Sequence, residues 1–530
     1  MPLSERRLRQ LAMLAAAAGI ACVVARHLIG VHSILLRTID GDETELLHAG
    51  WLMHQGLRLY RDFAEDHAPF LLVILKWMVP ATGTGAYPRL DLFTYVARAR
   101  TFTSLCGLMG AGAVAMLAYR ASRSLIAPLV TIAVIMASPE VWLRGVVQVR
   151  NDPPAVFLFW LGALLLVGGW QSERLRVLCA GIGIGLVAIA AVWNPKWPLE
   201  SLVLGVFYLS VLWRSRRSGP SLLAMAIVPP LACMGAALAC VAATVLFGDY
   251  IFFTFRYNQL LSAWMAANPY LAGLTKPLLH HSRAYMFCAP AFKGIWPVIA
   301  IVVLLAFLTF PAMRRRLSAN DRRIQWVLLA LGAAATIEIR FLYPYPIVWS
   351  QYYVMWSLIA ACLYGTIAAA LLRQLPSEGM RLAATIVMVL LAVFMVDQSM
   401  PLSGGAVGWP LRSYLQRNLR GNETIWVSAE VHPIGAADAG YYWFATNDLV
   451  PFSIEYAGRH PGTPLPAVDE RDLPVCRAER GLQPDLRYVS GGLFLRSLPE
   501  SSRCLDRLIA SGRAVLTPVA DVWDLHTDRR

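Results

Sequence analysis

Apolar residues run almost unbroken in stretches about as long as the ~20 residues that cross a bilayer as a helix, such as Leu222 to Phe247 and Gly294 to Phe310. Short arginine clusters separate them. Spans are predicted over residues 101–119, 125–142, 153–170, 177–193, 198–213, 221–247, 293–312, 324–341, 348–371 and 382–399, after a first apolar helix that starts near Leu11. Arg120/Arg123, Arg174/Arg176, Arg214/Arg216/Arg217, Arg314 to Arg316 with Arg322/Arg323, and Arg373/Arg381 then share one side, as the excess of basic residues in cytoplasmic loops requires. The predicted fold class is a polytopic α-helical membrane protein of about eleven transmembrane helices, N-terminus inside and everything after Met400 outside. Arg6, Arg7 and Arg9 before an apolar run also resemble the start of a signal peptide. Apolar residues continue past the small-residue point near Ala25 to Leu36, which favours a retained helix.

Three outer segments are too long for turns: residues 37–100, 248–292 and the C-terminal tail. Pro69 to Pro80 is apolar but too short to span, and counting it as a span would invert every later basic cluster. It reads as a helix half-buried in the outer interface. Between Thr44 and Leu57, Leu46, Gly50, Met53 and Leu57 share one helical face while Glu45, His48 and Gln55 point the other way, which predicts a helix lying on the membrane surface. From about Pro401 the pattern turns mixed, with strand-like runs Thr424 to Ser428, Leu486 to Val489 and Ala514 to Leu525 and a helical run Glu500 to Ser511. The expected organisation is a membrane domain, 1–399, with outer loops 37–100 and 248–292, followed by a small extracytoplasmic α/β domain, 400–530.

Composition changes the picture in one respect. Charged residues make up 15% of the chain, against ~25% in soluble globular proteins, and an ordinary soluble enzyme is excluded. A net charge of +14 would point to nucleic acid in a soluble domain, but here the arginines sit between apolar runs, where they orient helices, and no nucleic-acid partner is expected. Seven of the 9 cysteines lie in or near predicted spans; Cys476 and Cys504 are alone in the outer domain, where an oxidising compartment allows a disulfide. No Cys-x-x-Cys pair and no His-x₃-His spacing marks a structural zinc site.

The densest chemistry is Asp40-Gly-Asp42-Glu43-Thr44, at the outer end of the first helix. Acidic residues also cap helix N-termini, so Asp42 or Thr44 has a purely structural reading as well. The Asp-x-Asp patterns of dehalogenase-type phosphatases and nucleotide-sugar transferases match by letters, but both need a strand end in a Rossmann-like sheet. A second acidic group follows in Tyr60-Arg61-Asp62-Phe63-Ala64-Glu65-Asp66-His67-Ala68-Pro69. Two carboxylate groups bracketing one interfacial helix can converge, one removing a proton from a hydroxyl and another orienting the acceptor or holding a hard cation.

The run Asp42-Glu43, then Gly56-Leu57-Arg58-Leu59-Tyr60, then Glu65-Asp66-His67-Ala68-Pro69-Phe70 resembles the first outer loop of GT-C membrane glycosyltransferases, among them protein O-mannosyltransferases and the bacterial lipid A aminoarabinose transferase. Those show Asp-Glu after the first helix, then Gly-x-x-Tyr, then an acidic residue before His-Pro-Pro or Lys-Pro-Pro; Ala68 replaces the first proline here. Asp66 stands immediately before the basic residue and Glu65 one earlier, so the resemblance leaves open which of them matters. Arg150-Asn151-Asp152 falls where the family has Arg-Pro-Asp, and Asn194-Pro195-Lys196-Trp197-Pro198 where it has Thr-Lys-Gly-Pro. Pro344-Tyr345-Pro346 through Gln351-Tyr352-Tyr353 is similar to its aromatic, proline-rich approach to a late helix. The resemblance covers roughly residues 35–360. The chain has four lysines, and Lys196 has no basic cluster around it that would make it a topology signal. A lipid phosphate is one counter-ion for such a rim lysine, and snorkelling beside Trp193 and Trp197 is the other reading.

The resemblance implies a glycosyltransferase of the bacterial-type inner (plasma) membrane, taking sugar from a polyprenyl-phosphate donor to a lipid, glycan or protein acceptor hydroxyl at the outer face, with inversion. Asp42 and Glu43 are the catalytic candidates. Asp40, Glu65, Asp66, His67 and Asp152 are candidates for acceptor positioning or for a divalent cation such as Mg or Mn, and Lys196, Arg150, Arg256 and Arg283 for donor phosphate. His280 and His281 in the same outer loop have the same phosphate reading. Two rival readings are a transporter or flippase for a lipid-linked or anionic substrate, and an inactive assembly protein that keeps the fold.

Overall fold

The computed structural model describes residues 4–35, 39, 41–80, 90–137, 148–168, 172–267, 301–306, 319–338, 354–399, 408–420, 422–429, 431–442, 449–491, 495, 498–519 and 521–525. Asp40, Arg283, His280, His281, residues 344–353 and most of the predicted span 293–312 lie outside them.

The chain is a polytopic α-helical membrane protein. Helices overlap most of the predicted span positions: α1 (Glu5–Leu35), α4 (Leu92–Ser122), α5 (Ile126–Met136), α6 (Asp152–Val167), α7 (Glu173–Trp193), α8 (Pro198–Ser218), α9 (Pro220–Thr244), α12 (Ala319–Ile337), α13 (Val354–Leu372) and α14 (Glu378–Ser399). Between them lie α2 (Gly41–His54), α3 (Pro69–Met78), α10 (Phe247–Ile251) and α11 (Asn258–Ala267). Among the described residues, five helical segments are long and apolar enough to cross a membrane: Glu5–Arg26 of α1, α4, α7, α9 and α13. α3, α5 and α6 are apolar but shorter.

The chain divides into two compact units. Unit one comprises Met1–Ile34, Thr101–Ala239 and Tyr270–Ser403; unit two comprises Leu35–Arg100, Cys240–Pro269 and Gly404–Arg530. Inside unit one, α6 and α7 touch backbone to backbone. A Cβ on Gly162 would lie 2.5 Å from the Gly183 carbonyl, and one on Gly183 2.5 Å from the Gly162 carbonyl, so only glycine lets these helices approach. Small residues at such seams let membrane helices gain van der Waals contact where no hydrophobic effect drives them together. Replacing Gly162 with valine is expected to splay the pair; a lower yield of monodisperse protein after detergent extraction is the readout, and wild-type behaviour would count against it.

In unit two, α3 buries Phe70, Leu71, Leu72 and Leu75 and leaves Trp77 79% exposed, so it is the short one-sided helix that its sequence predicts. α2 differs from expectation. Glu45 and His48, expected on an outward polar face, are buried, as is nearly every residue from Glu43 to Met53. The amphipathic pattern is real, but His48 meets Ile434 and Asp438 of the distant C-terminal segment rather than water, and Glu45 lies beside the acidic residues of its own loop.

That segment carries α15 (Gly408–Asn418), α16 (Leu449–Arg459), α17 (Pro474–Glu479), α18 (Pro499–Ala510) and a five-stranded mixed sheet. Its strands β1 (Thr424–Trp426), β2 (Ala437–Asp438), β3 (Leu486–Ser490), β4 (Ala514–Leu516) and β5 (Val522–Leu525) run in the order β2-β1-β3-β5-β4. β1 is parallel to β2 and β3, while β5 is antiparallel to β3 and β4. The run Ala514 to Leu525 is therefore a hairpin and not one strand; Asp521, at φ 61°, lies in its turn. Leu415, Ile425, Val427, Tyr488 and Val522 form the core.

Cys476 of α17 and Cys504 of α18 are joined by a disulfide, with their Cα atoms 5.1 Å apart. Closing a loop of 28 residues stabilises the folded state by about 3.6 kcal/mol in the chain-entropy model. The Cys476→Ala, Cys504→Ala double variant is expected to melt correspondingly earlier by circular dichroism in detergent; an unchanged melting temperature would contradict this.

Candidate functional site

Unit two gathers the first-loop carboxylates around the start of α2. Asp42 and Glu43 occupy its first turn, where the helix dipole favours negative charge. Arg100 of α4 holds Glu43 with a fork, Nε donating to Oε1 over 2.9 Å and Nη2 to Oε2 over 2.5 Å, and both residues are buried. Both carboxylate oxygens of Glu43 are thus engaged. Asp42 is half-buried. One turn on, Glu45 is buried and its Oε1 has no hydrogen-bond partner. Burial first, then the nearby charges of Asp42, Glu65 and Asp66, push the Glu45 carboxyl well above the usual carboxylate range. Asp42, Glu65 and Asp66 thus lie near enough to Glu45 for their charges to act on it.

Glu65, Asp66 and His67 form the far side. His67 Nδ1 lies 2.6 Å from Glu65 Oε1 and 3.0 Å from Asp66 Oδ1. Glu65 is buried, and its Oε2 has no partner. Burial drives the Glu65 carboxyl up, against the His67 hydrogen bond. Burial is the largest influence on Asp66 and opposes its charge, but the charge and hydrogen bond of His67, with smaller hydrogen-bond contributions from the Asp66 backbone and Glu65, together hold the Asp66 carboxyl below its ordinary value. For His67, burial opposes charge, and Asp66 and Glu65 together raise it well above the ordinary imidazole value.

Tyr60, the tyrosine of the Gly-x-x-Tyr motif, braces this loop. Its backbone lies in the left-handed region at φ 65°, its hydroxyl donates to the His67 carbonyl, and its ring stacks on Phe253 with centroids 4.5 Å apart. Its carbonyl accepts from Tyr441 Oη over 2.8 Å, and Ala64 N–H donates to the Tyr441 carbonyl over 3.0 Å. Asn258 Nδ2 donates to the Asp66 carbonyl over 3.2 Å. Arg256, on a π-helical turn over Phe252–Tyr257, is exposed.

Unit one holds a separate cluster. Asp152, at the first turn of α6, is buried and receives Lys196 Nζ over 3.0 Å and Asn194 Nδ2 over 3.1 Å on Oδ1. Arg150 Nε lies 3.6 Å from Asp152 Oδ2. Trp193 Nε1 donates to Asn151 Oδ1 over 3.3 Å. Two sequence motifs more than 40 residues apart are thus one assembly, with two cations against one carboxylate. The side chain of Lys196 keeps 22% of its surface exposed.

Sequence reasoning missed Glu45, His48, His432 and Asp438. Glu45 looked like a solvated helix face, and only its i+3 spacing from Asp42 could have flagged it. His48 Nε2 lies 2.6 Å from Asp438 Oδ2, and His432 Nε2 3.0 Å from Asp438 Oδ1, a group with no local spacing to find. Among the described residues, two clusters can hold a divalent cation, Glu65–Asp66–His67 and His48–His432–Asp438; in each, one ligand atom per residue lies within 4.8 Å of the others.

No family model and no curated protein matches the sequence. Among solved structures, the chain is similar to the oligosaccharyltransferase AglB from Archaeoglobus fulgidus, in complex with an inhibitory peptide and a dolichol-phosphate, at 14% identity over 96% of this chain and 74% of that one, TM-score 0.47. It is similar to ArnT from Cupriavidus metallidurans bound to undecaprenyl phosphate, at 16% identity over 83% and 88%, TM-score 0.40. Arabinosyltransferase EmbB from Mycobacterium smegmatis follows at 12% identity over 80% and 41%, TM-score 0.44. Similarity at this level assigns no function, which rests on the chain's own residues.

Proposed function

We propose that this protein is a GT-C-type glycosyltransferase that moves a sugar from a polyprenyl-phosphate donor to an acceptor hydroxyl at the outer face of a bacterial-type plasma membrane, with inversion. The observation that carries the reading is the geometry of the first-loop motif: buried Glu45, with an unpartnered Oε1, follows half-buried Asp42 by one turn of α2, and Glu65 and Asp66 converge on His67 Nδ1. A loop that concentrates carboxyl groups in this way suits proton removal from a hydroxyl. Asp42 is the base, since Glu43 is committed to Arg100. Glu65, Asp66 and His67 orient the acceptor or hold a divalent cation, for which Mg²⁺ or Mn²⁺ suits the oxygen-rich set. In unit one, Lys196 and Arg150 supply charge for a phosphate leaving group that needs stabilisation rather than protonation, while Asp152 fixes their positions. Arg256 is a further phosphate candidate by its exposure.

The transport reading has one observation in its favour: Glu200 and Glu338, both buried, share a hydrogen bond inside unit one. They sit in the first turn of α8 and just past the end of α12, however, rather than at mid-span, where a transport pathway concentrates its ionisable groups.

Deleting the gene is expected to raise one polyprenyl-phosphate sugar in lipid extracts and to leave its acceptor unmodified, both restored by the wild-type chain. An unchanged lipid-linked sugar pool, read by mass spectrometry, would refute the transferase reading. Lys196→Ala is expected to weaken donor binding and turnover together, because phosphate contacts exist in the ground state as well as the transition state. A turnover defect with unaltered donor binding would remove Lys196 from the phosphate site.

A further inference from the structure

We propose that His48, His432 and Asp438 bind one divalent transition-metal ion of the zinc class, which fastens α2 to the C-terminal segment of unit two. The three side chains come from α2, from the loop before β2 and from β2 itself, and their exposures are 0%, 0% and 7%. Both imidazoles aim Nε2 at one carboxylate, at 2.6 and 3.0 Å, with ring centroids 4.1 Å apart.

The Ile434 carbonyl accepts from His48 Nδ1, which fixes a proton on that nitrogen. His48 Nε2 then faces a carboxylate oxygen, and two lone pairs at such a distance repel unless a cation lies between them. That cation is either a second proton or a metal ion. Two imidazoles and a carboxylate are donors that zinc and its first-row neighbours take. Bonds of ~2.0–2.2 Å at tetrahedral angles set adjacent ligand atoms ~3.3 Å apart, so the two histidine–carboxylate separations of 2.6 and 3.0 Å need to open by less than about 1 Å, while all three ligand atoms already lie within 4.8 Å of one another.

Ile434 supplies an independent sign. Its φ of 63° lies in the left-handed region, which a β-branched residue rarely occupies. That conformation turns its carbonyl to His48 while its N–H donates to His432 Nδ1 over 3.0 Å. Backbone strain retained beside a cluster of potential ligands points to a role for the cluster. When the ion enters, the proton between His48 and Asp438 leaves. The His432 proton passes from Nε2 to Nδ1, and the Ile434 N–H gives way there. One proton is released per ion. Trp51 stacks on His48 and Arg412 donates to the His432 carbonyl. The donor set also separates this site from Glu65–Asp66–His67, whose oxygens suit harder ions.

Full-length protein in detergent, stripped with a chelator and titrated with Co²⁺, tests the site. One equivalent with visible d–d absorption, displaced by Zn²⁺, is expected. The affinity should fall at least about tenfold in His432→Gln and in Asp438→Asn, and stay unchanged in His460→Gln, whose exposed imidazole belongs to neither cluster. Absence of a Co²⁺ spectrum in the wild type overturns the proposal, as does a spectrum unchanged in both His432→Gln and Asp438→Asn. Loss of the spectrum in His460→Gln alone overturns it too. If neither substituted protein elutes as a folded species, the wild-type melting temperature decides: a rise with Zn²⁺ supports the site, and indifference to Zn²⁺ overturns it. None of these readouts involves sugar transfer, so they stand apart from the fate of the transferase reading.

Discussion

Arg100→Met is expected to destabilise unit two by about 3–5 kcal/mol, the largest stability effect of any single substitution considered. Arg100 and Glu43 are both buried and joined by two charge-assisted hydrogen bonds. Methionine fills a similar volume but takes the Arg100 charge away from the buried Glu43 carboxylate. Most of the penalty is that stranded charge rather than the net worth of the pair. A second substitution separates the two contributions. Arg100→Met with Glu43→Gln removes both charges, and it should recover a substantial share of the loss in thermal melts. If the double variant is no better than Arg100→Met alone, the fork does not carry the stability assigned to it.

Asp42→Asn is expected to reduce transfer by ~10² or more while leaving expression and donor binding near wild type. Asparagine keeps the shape and much of the hydrogen bonding of aspartate but cannot take a proton. The alternative role for Asp42 is to sit at the N-terminus of α2. Asparagine is a good residue there, so under that role the variant is nearly silent. Membranes supplied with the native lipid-linked donor distinguish the two. Full activity of Asp42→Asn would transfer the base to Glu65 or Asp66, the other loop carboxylates in its neighbourhood.

What could be read from the sequence was what depends on local period. Long apolar runs and arginine clusters gave the helices, because burial in a bilayer requires unbroken hydrophobicity and the clusters are short-range signals. The helix from Pro69 was legible for the same reason, as was the pairing of Cys476 with Cys504, the two cysteines of the tail. The α2 environment was not. Its polar stripe has the same period whether it faces water or a buried partner, and Asp438, the partner of His48, lies 390 residues away. The hairpin of β4 and β5 was hidden by an apolar run that continues through its turn. The assembly of Asp152 with Lys196 was half-legible: each motif was visible, but their contact across α6 and α7 depends on the glycine seam between those helices.

Tyr60 shows what the first loop has spent in advance. Holding a tyrosine at φ 65° costs roughly 1–2 kcal/mol relative to an ordinary backbone conformation, and glycine would relieve it. Glycine would also remove the ring on Phe253 and the hydroxyl on the His67 carbonyl, and with them the brace that aims Glu65, Asp66 and His67. The residue is kept for its side chain at the expense of its backbone. Under the proposed function, an incoming acceptor would meet a loop whose ordering entropy was surrendered during folding, and its own contacts need not supply it. Tyr60→Gly should accordingly show its defect as weaker acceptor saturation before it shows as lost protein.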